Sequence, residues 1–268
     1  MTKFHWIEAG VWLRLQINSN GSTRKGTMKL VVWNCNQALH RKASHVLELA
    51  PDIAIIPEAA RQARTLTAKA SGSVWIGAEK NKGLGVYSFN GFRIELHSSY
   101  DKRLQWIAPV LVSGPTTFLL LATWALNDQA SEKHPEQEHR GQVATALEVY
   151  RDVIEQCGMP LVIAGDFNGC IEWDKREKHP FHFNTVRDLI NHGLVSAYHT
   201  SRKVSQGQEA DPTYWRDRTP NGQRFHIDYC FVPKSWMSDR LEVLTGEFDP
   251  WVANHLSDHA PLVVTIPA

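Results

Sequence analysis

No stretch of the 268-residue chain approaches the ~18 apolar residues that cross a bilayer. The N-terminus also lacks the charged, apolar and small-residue succession of a secretory signal. A membrane-free, cytoplasmic protein is therefore expected. Cysteine is scarce: Cys35, Cys157, Cys170 and Cys230 stand far apart and form no CxxC, which argues against a zinc cluster or a disulfide framework and fits a reducing compartment. Charge of one sign is missing too. With 29 Lys and Arg against 28 Asp and Glu, the net charge is +1. That excludes a strongly basic nucleic-acid coat and an acidic disordered tail, so any nucleic-acid contact must be a local patch. Repeats and low-complexity tracts are absent. What is present is a 43% hydrophobic composition, enough for a sizeable core in one large domain or two small ones.

Residues 1–27 mix polar and aromatic types and run into the turn-forming stretch Asn18-Ser19-Asn20-Gly21-Ser22; they read as an N-terminal extension. From Met28 the pattern is regular. Met28–Asn34 is β-rich, Leu39–Ala50 carries apolar residues near helical spacing, and Ile53–Ile56 is a short continuous run typical of a strand buried on both faces. Short strands are predicted at Val74–Ile76, Leu84–Ser88, Arg93–His97, Gln105–Val112 and Thr117–Trp124, punctuated by glycine and proline. A long helix is predicted over Glu138–Cys157, ending at Gly158, then a strand at Leu161–Ala164 and a helix at Thr185–His192. Strands at His226–Val232, Leu241–Gly246 and Ala260–Ile266 close the chain. Blocks of strands with few helices and no linker predict one domain, 28–268, of two packed sheets with helices outside.

Polar residues cluster where the apolar strands end, and strand ends hold side chains rigidly. The segments are Trp33-Asn34-Cys35-Asn36, Ile56-Pro57-Glu58, Gly165-Asp166-Phe167-Asn168, Ile227-Asp228-Tyr229 and Ser257-Asp258-His259. Taken singly they have plainer readings: Asn34 and Asn36 as turn formers, Glu58 as a helix N-terminal charge, the Gly165 segment as an Asx turn. Asp228 fits such a reading less well, because a carboxylate between apolar neighbours requires a partner if it is buried, and His259 can supply one. Together the segments supply carboxylate and amide oxygens and a histidine but no thiolate cluster. Such a set suits magnesium or manganese rather than zinc, and phosphate-ester chemistry is its natural use.

These segments, with Gly83-Leu84-Gly85-Val86 and in this order, resemble the endonuclease/exonuclease/phosphatase superfamily from Met28 to the C-terminus. The resemblance implies a four-layer α/β sandwich, two mixed β-sheets packed face to face with helices outside and the site at one edge of the sheets. It implies Glu58 as principal ligand of Mg2+ or Mn2+, with Asn34 and Asn36 beside it and Asp258 completing the metal side. Asp166 would activate or position water, and Asn168 would orient it or stabilise the pentacovalent phosphorus. His259 would contact the scissile phosphate, oriented by Asp228. Asn127 falls where similar nucleases have an Asn that touches phosphate.

Departures are visible as well. Trp124 stands where abasic-site enzymes of the family have a tyrosine and other members a histidine; its indole can donate one hydrogen bond to substrate but cannot shuttle a proton. Asn36 stands in place of an aspartate and Pro57 in place of a glutamine, which weakens a reading as an abasic endonuclease. Trp106, Trp124, Trp173, Trp215 and Trp251, with Lys80, Lys82, Lys102, Arg103, Lys175, Arg176, Arg216, Arg218 and Arg224, are candidates for stacking on bases and holding phosphates, against a plain reading as core and solvated face. His179-Pro180-Phe181-His182 is a candidate substrate-selecting loop or an ordinary surface excursion; His134–His139 is a polar helix start or, less naturally, a metal site. The expected activity is a metal-dependent phosphodiester hydrolase, a nuclease with nucleic acid as substrate. A phosphodiesterase or phosphatase for lipid head groups, inositol phosphates or small nucleotides is the alternative within the family, and an inactive nucleic-acid-binding module the alternative outside it.

Overall fold

The computed structural model describes residues 26–126, 141–175 and 180–267. Fourteen strands run in chain order: β1 Thr27–Val32, β2 Ile53–Ile56, β3 Gly72–Glu79, β4 Lys82–Ser88, β5 Arg93–Leu96, β6 Ile107–Ser113, β7 Phe118–Trp124, β8 Leu161–Asp166, β9 Leu194–Ser196, β10 Tyr214–Trp215, β11 Arg224–Phe225, β12 Asp228–Pro233, β13 Glu242–Thr245 and β14 Leu262–Pro267. They form two six-stranded mixed sheets, ordered β13-β14-β1-β2-β4-β3 and β5-β6-β7-β8-β12-β9, and a small β10-β11 ribbon.

The period of two along each strand builds the layers. On β7, Phe118, Leu120, Ala122 and Trp124 enter the cluster between the sheets, where Leu30 and Val32 of β1, Ile53 and Ile55 of β2 and Leu262 and Val264 of β14 meet them. Their alternates Leu119 and Leu121 face outward with Ile163, Tyr229 and Phe231, covered by Val143, Ala146, Val186 and Leu189 from helices Gln142–Val149 and Phe181–Asn191. On the other sheet, Ala54 and Ile56 pack against Leu39, Ala43, Val46 and Leu66 of helices Leu39–Glu48 and Arg64–Lys69. Helix, sheet, sheet, helix: each central strand is apolar on both faces because each face is covered. This is the four-layer sandwich expected.

Some elements depart from the sequence pattern. The long helix predicted to end at Cys157 is broken at Tyr150 (φ −96°, ψ 10°) into Gln142–Val149 and Arg151–Cys157, and its first predicted residues lie outside those described. The Tyr150 hydroxyl donates to the Ile107 carbonyl at 3.1 Å, and this tertiary anchor turns the chain where helical periodicity continues. His182, expected in a substrate-selecting loop or an ordinary surface excursion, lies in helix Phe181–Asn191, is 3% exposed and pairs with Gln206 at 2.9 Å. It is an interior histidine. The ribbon β10-β11 and the helix Ala197–Arg202 had no clear sequence signal.

Topology places the strand ends at one rim. β1 and β2 run parallel, as do β7 and β8, and the Asn34–Asp166 hydrogen bond joins the ends of the two sheets, so the segments after Val32, Ile56, Trp124 and Asp166 leave the sheets on the same side. β12 and β14 run antiparallel to these neighbours, so Asp228 and His259 stand at their starting ends on that same rim.

Candidate active site

Asp166 ends β8 and Asp228 begins β12, and the antiparallel register sets them directly opposite each other. Both are 0% exposed. Two carboxylates across a strand pair repel unless a cation lies between them. His259 fills that role: its Nδ1 is 2.8 Å from Asp228 Oδ2 and its Nε2 4.0 Å from Asp166 Oδ2. Burial alone would lower the imidazole, but the charge and hydrogen bond of Asp228 override it, with Asp166 and Asp258 adding, and His259 is pushed up to about 9. Asp166 is pushed up to about 7 by burial and then by the Asp228 charge, against the pull of His259 and the Asn34 and Asn168 donors.

The backbone around these groups is shaped for them. Asp166 Oδ1 accepts the Asn168 N–H at 2.9 Å, and the Asn168 side chain donates to the Ala125 carbonyl at 2.8 Å, which ties the ends of β7 and β8 together. Asn168 sits at φ 45°, Glu58 at 55° and Asn36 at 47°, left-handed conformations that non-glycine residues adopt at a cost and that concentrate at working sites. Trp33 donates its indole N–H to the His259 carbonyl at 3.0 Å, Ser257 Oγ donates to the Asn34 carbonyl at 2.7 Å and accepts the His259 N–H at 3.1 Å. The loop before β14 is thereby stitched to the loop after β1.

Facing the His259 group lies a second set. Asn34 Nδ2 donates to Asp166 Oδ2 at 2.9 Å and reaches Glu58 Oε1 at 3.4 Å, while its Oδ1 accepts the Asn36 N–H. Asn34 therefore bridges the two carboxylates as a donor, and its oxygen is engaged by backbone. Asn36 donates to Asp258 Oδ1 at 3.0 Å. Burial opposes ionisation of Asp258, but His259, Arg218 and Asn36 hold it below the usual carboxylate range. The structure thus brings Asn34, Asn36, Glu58, Asp166, Asn168, Asp228, Asp258 and His259 to one rim, through strands far apart in the chain.

Among the described residues, one group of three acidic, histidine or cysteine ligand atoms lies within 4.8 Å of one another, that of Asp166, Asp228 and His259. His259, held between the two carboxylates, makes this trio a buried charge network, and the oxygens of Glu58, Asp258 and Asn36 stand beside it on the rim. Cys35, between the two asparagines, contributes no thiolate, since burial pushes it up to about 12.

Trp124 is placed differently from the expectation of a substrate contact. It is 2% exposed, stacked on Trp106 with centroids 4.1 Å apart, and the Lys82 ammonium lies 4.9 Å from its ring centre. Burial leaves Trp106 and Lys82, not the Trp124 face, toward the rim. Asn127 and the His134–His139 stretch lie outside the described residues.

Four further side chains border the site: Lys82 and Arg218, which the sequence offers as phosphate-holding candidates, and Thr213 and Tyr214, which it does not. Lys82 Nζ lies 3.5 Å from Glu58 Oε2, and Arg218 lies 3.5 Å from Asp258 Oδ2. Tyr214 packs on the His259 ring at 4.8 Å, and buried Thr213 Oγ1 accepts the N–H groups of Ile227 and Asp228 at 3.1 Å. The two cations were visible as basic residues; Thr213 and Tyr214 arrive through the β10-β11 ribbon, which carries no local sequence signal.

No curated protein matches the chain in sequence. Solved structures share the fold at low identity. An AP endonuclease, LMAP, from Leishmania major superposes with a TM-score of 0.65 at 15% identity, over 91% of this chain and 88% of that one. The 3'-5' exonuclease NExo from Neisseria meningitidis gives 0.61 at 19%, over 88% and 98%. Truncated TDP2 from Caenorhabditis elegans gives 0.59 at 14%, over 90% and 98%. A sequence profile for the Endonuclease/Exonuclease/phosphatase family matches residues 31–259, from β1 through His259. That span covers most of the chain and all the rim residues from Asn34 to His259, and the chain belongs to this family.

Proposed function

We propose that the protein is a divalent-metal-dependent phosphodiester hydrolase that cuts nucleic acid. The observation that carries the reading is the buried Asp166–His259–Asp228 group set opposite Glu58, Asn36 and Asp258 on one rim. The donor set fits magnesium or manganese: it is built of oxygens, and the Glu58 carboxylate makes only long contacts, 3.4 and 3.5 Å, that leave lone pairs for a cation. Glu58, Asp258 and the Asn36 oxygen would hold the ion. When bound it supplies charge neutralisation for the phosphoryl oxygens and the leaving group.

The chain's own residues do the rest. Asp166, with a proton affinity near neutrality, accepts a proton from a water positioned beside it, and Asn34 and Asn168 hold that carboxylate in one orientation. His259, kept cationic by Asp228, donates from Nε2 to a phosphate oxygen whose charge grows in the transition state. Asp228 fixes the imidazole so that Nδ1 is committed and Nε2 faces outward.

Two structural relatives carry nuclease names, and NExo is also described as a 3' phosphatase bound to a product DNA hairpin, which supports nucleic acid as the substrate class. No helix among the described residues is long and apolar enough to cross a membrane. The test is hydrolysis of plasmid DNA, single-stranded DNA, abasic duplex, RNA and bis(p-nitrophenyl) phosphate, with magnesium or manganese and with chelator, beside His259→Ala. Metal-dependent polynucleotide cleavage that His259→Ala abolishes is the expected result. Cleavage of the small diester alone would move the substrate to lipid, inositol or nucleotide phosphates, and no cleavage would leave a binding module.

A further inference from the structure

Beside Glu58 and Lys82 a groove of about 820 Å³ opens between the β3-β4 hairpin and the turn that precedes β6. That volume is within the usual range of ligand sites, ~300–1,000 Å³. Its aromatic lining is Trp75, Tyr100 and Trp106, and its charged lining is Glu79, Lys82 and Lys102. The aromatics are held in place. Trp75 donates its indole N–H to the Ala59 carbonyl at 2.9 Å, and its ring lies against backbone bared by glycine: a Cβ at Gly77 or Gly83 would come within 2.4 or 2.6 Å of it. Trp106 has one face on Trp124 and is half-buried, and the Tyr100 hydroxyl donates to the Gln105 carbonyl.

We infer that this groove is a stacking subsite for an unpaired nucleobase of the strand whose phosphate lies at the Asp166–His259 site. The inference rests on the phosphodiesterase reading above and names the form of nucleic acid it takes. Continuity supports it: the same Lys82 ammonium that lines the groove stands 3.5 Å from Glu58, so a chain with its scissile phosphate at the rim passes directly into the groove. Chemistry supports it too. Rigid aromatic side chains bind a base by its π-face, sequence-tolerantly, while lysines beside them take the phosphates. Glu79 offsets one of the two lysines, so the groove is not a purely electrostatic track and the aromatic faces must supply much of the affinity. In a duplex those base faces are covered by neighbouring pairs. An aromatic groove therefore selects single strands, frayed ends or extruded nucleotides.

The test uses the full chain in chelator, so that binding is read without turnover. Fluorescence anisotropy compares a labelled thymidine oligonucleotide, an abasic strand of the same length, the matched duplex and anionic phospholipid vesicles. The base-bearing single strand should bind about 5-fold or more tighter than the abasic strand and the duplex. Trp106→Leu should bring the ratio of base-bearing to abasic strand close to one, and Lys102→Glu should weaken both strands by a similar factor. Equal binding of base-bearing and abasic strands, preference for duplex, or binding to vesicles alone would overturn the inference. Should Trp106→Leu fail to fold by thermal melting, the ratios of the unsubstituted protein and of Lys102→Glu still decide it. Selective binding without cleavage in the metal-dependent panel would sink the nuclease reading and leave the groove standing; cleavage without base selectivity would do the reverse.

Discussion

Replacing Asp228 by Asn keeps the shape of the side chain and removes one buried charge, which makes it a sharp probe of how His259 is held. In the native site His259 is raised from 6.5 to about 9 although burial pulls it down, and Asp228, 2.8 Å away and 0% exposed, is the largest opposing influence. At roughly 1.4 kcal/mol per unit, that shift corresponds to about 3 kcal/mol in favour of the imidazolium. Burial persists in Asp228→Asn while the main compensating charge is gone, so His259 should fall by about two units or more, with Asp166 supplying what support remains. At pH 7.5 the imidazolium would drop from nearly complete to a minority. A raised histidine stabilises the fold in full below pH 6.5 and loses that contribution as pH rises through 9, so the stability gap between native protein and Asp228→Asn should narrow above pH 8. Imidazole NMR titration in chelator, assigned with His259→Ala, reads the proton directly, and the pH dependence of kcat should show its alkaline limb displaced downward. If His259 in Asp228→Asn still titrates above about 8, the account of the site's electrostatics is wrong.

Other perturbations test separate parts of the argument. Asp166→Asn should lower turnover by about 100-fold or more. Because the Asp166 carboxyl is raised from 3.8 to about 7, the fold loses stability as pH rises between those values and bears the full cost above 7, so the Tm of Asp166→Asn relative to the native protein should be more favourable at pH 8.5 than at pH 5. His226, fully buried between Tyr198 and Tyr229 with Nε2 unpartnered among the described residues, is lowered by burial to about 4. Stability linked to it is present above pH 6.5 and lost as pH falls through 4, up to about 3 kcal/mol, and urea melts of His226→Gln should show a shallower acid limb. Gly165 sits at φ 150° where a Cβ would meet the Thr123 carbonyl oxygen at 1.8 Å, in the β7-β8 pairing that delivers Asp166. Gly165→Ala should therefore cost about 3 kcal/mol or more in denaturant melts, or prevent folding; a change under 1 kcal/mol would contradict the register.

Continuous apolar runs such as Ile53–Ile56 and Leu161–Ala164 announced strands covered on both faces, and from that the layered class followed, because only a strand with two buried faces can dispense with polar alternation. The site was legible for a related reason: a polar residue at the end of an apolar run has one place to go, the rim, and Asn34, Glu58, Asp166 and His259 all arrive there. What the sequence by itself determined was therefore the identity of the strands and of the polar residues at their ends. Tertiary structure alone decided the pairings between them. The opposition of Asp166 and Asp228 is a matter of antiparallel register, and the break at Tyr150 depends on a carbonyl 43 residues away. Trp124 is buried against Trp106 with Lys82 over its ring, Lys82 and Arg218 found their carboxylate partners only through packing, and Thr213 and Tyr214 came to the site with a ribbon that has no local signature. Local chemistry writes burial and chain direction into the sequence at short range. Which charge meets which histidine is set by distances between residues more than 30 positions apart, and those exist only once the two sheets have packed.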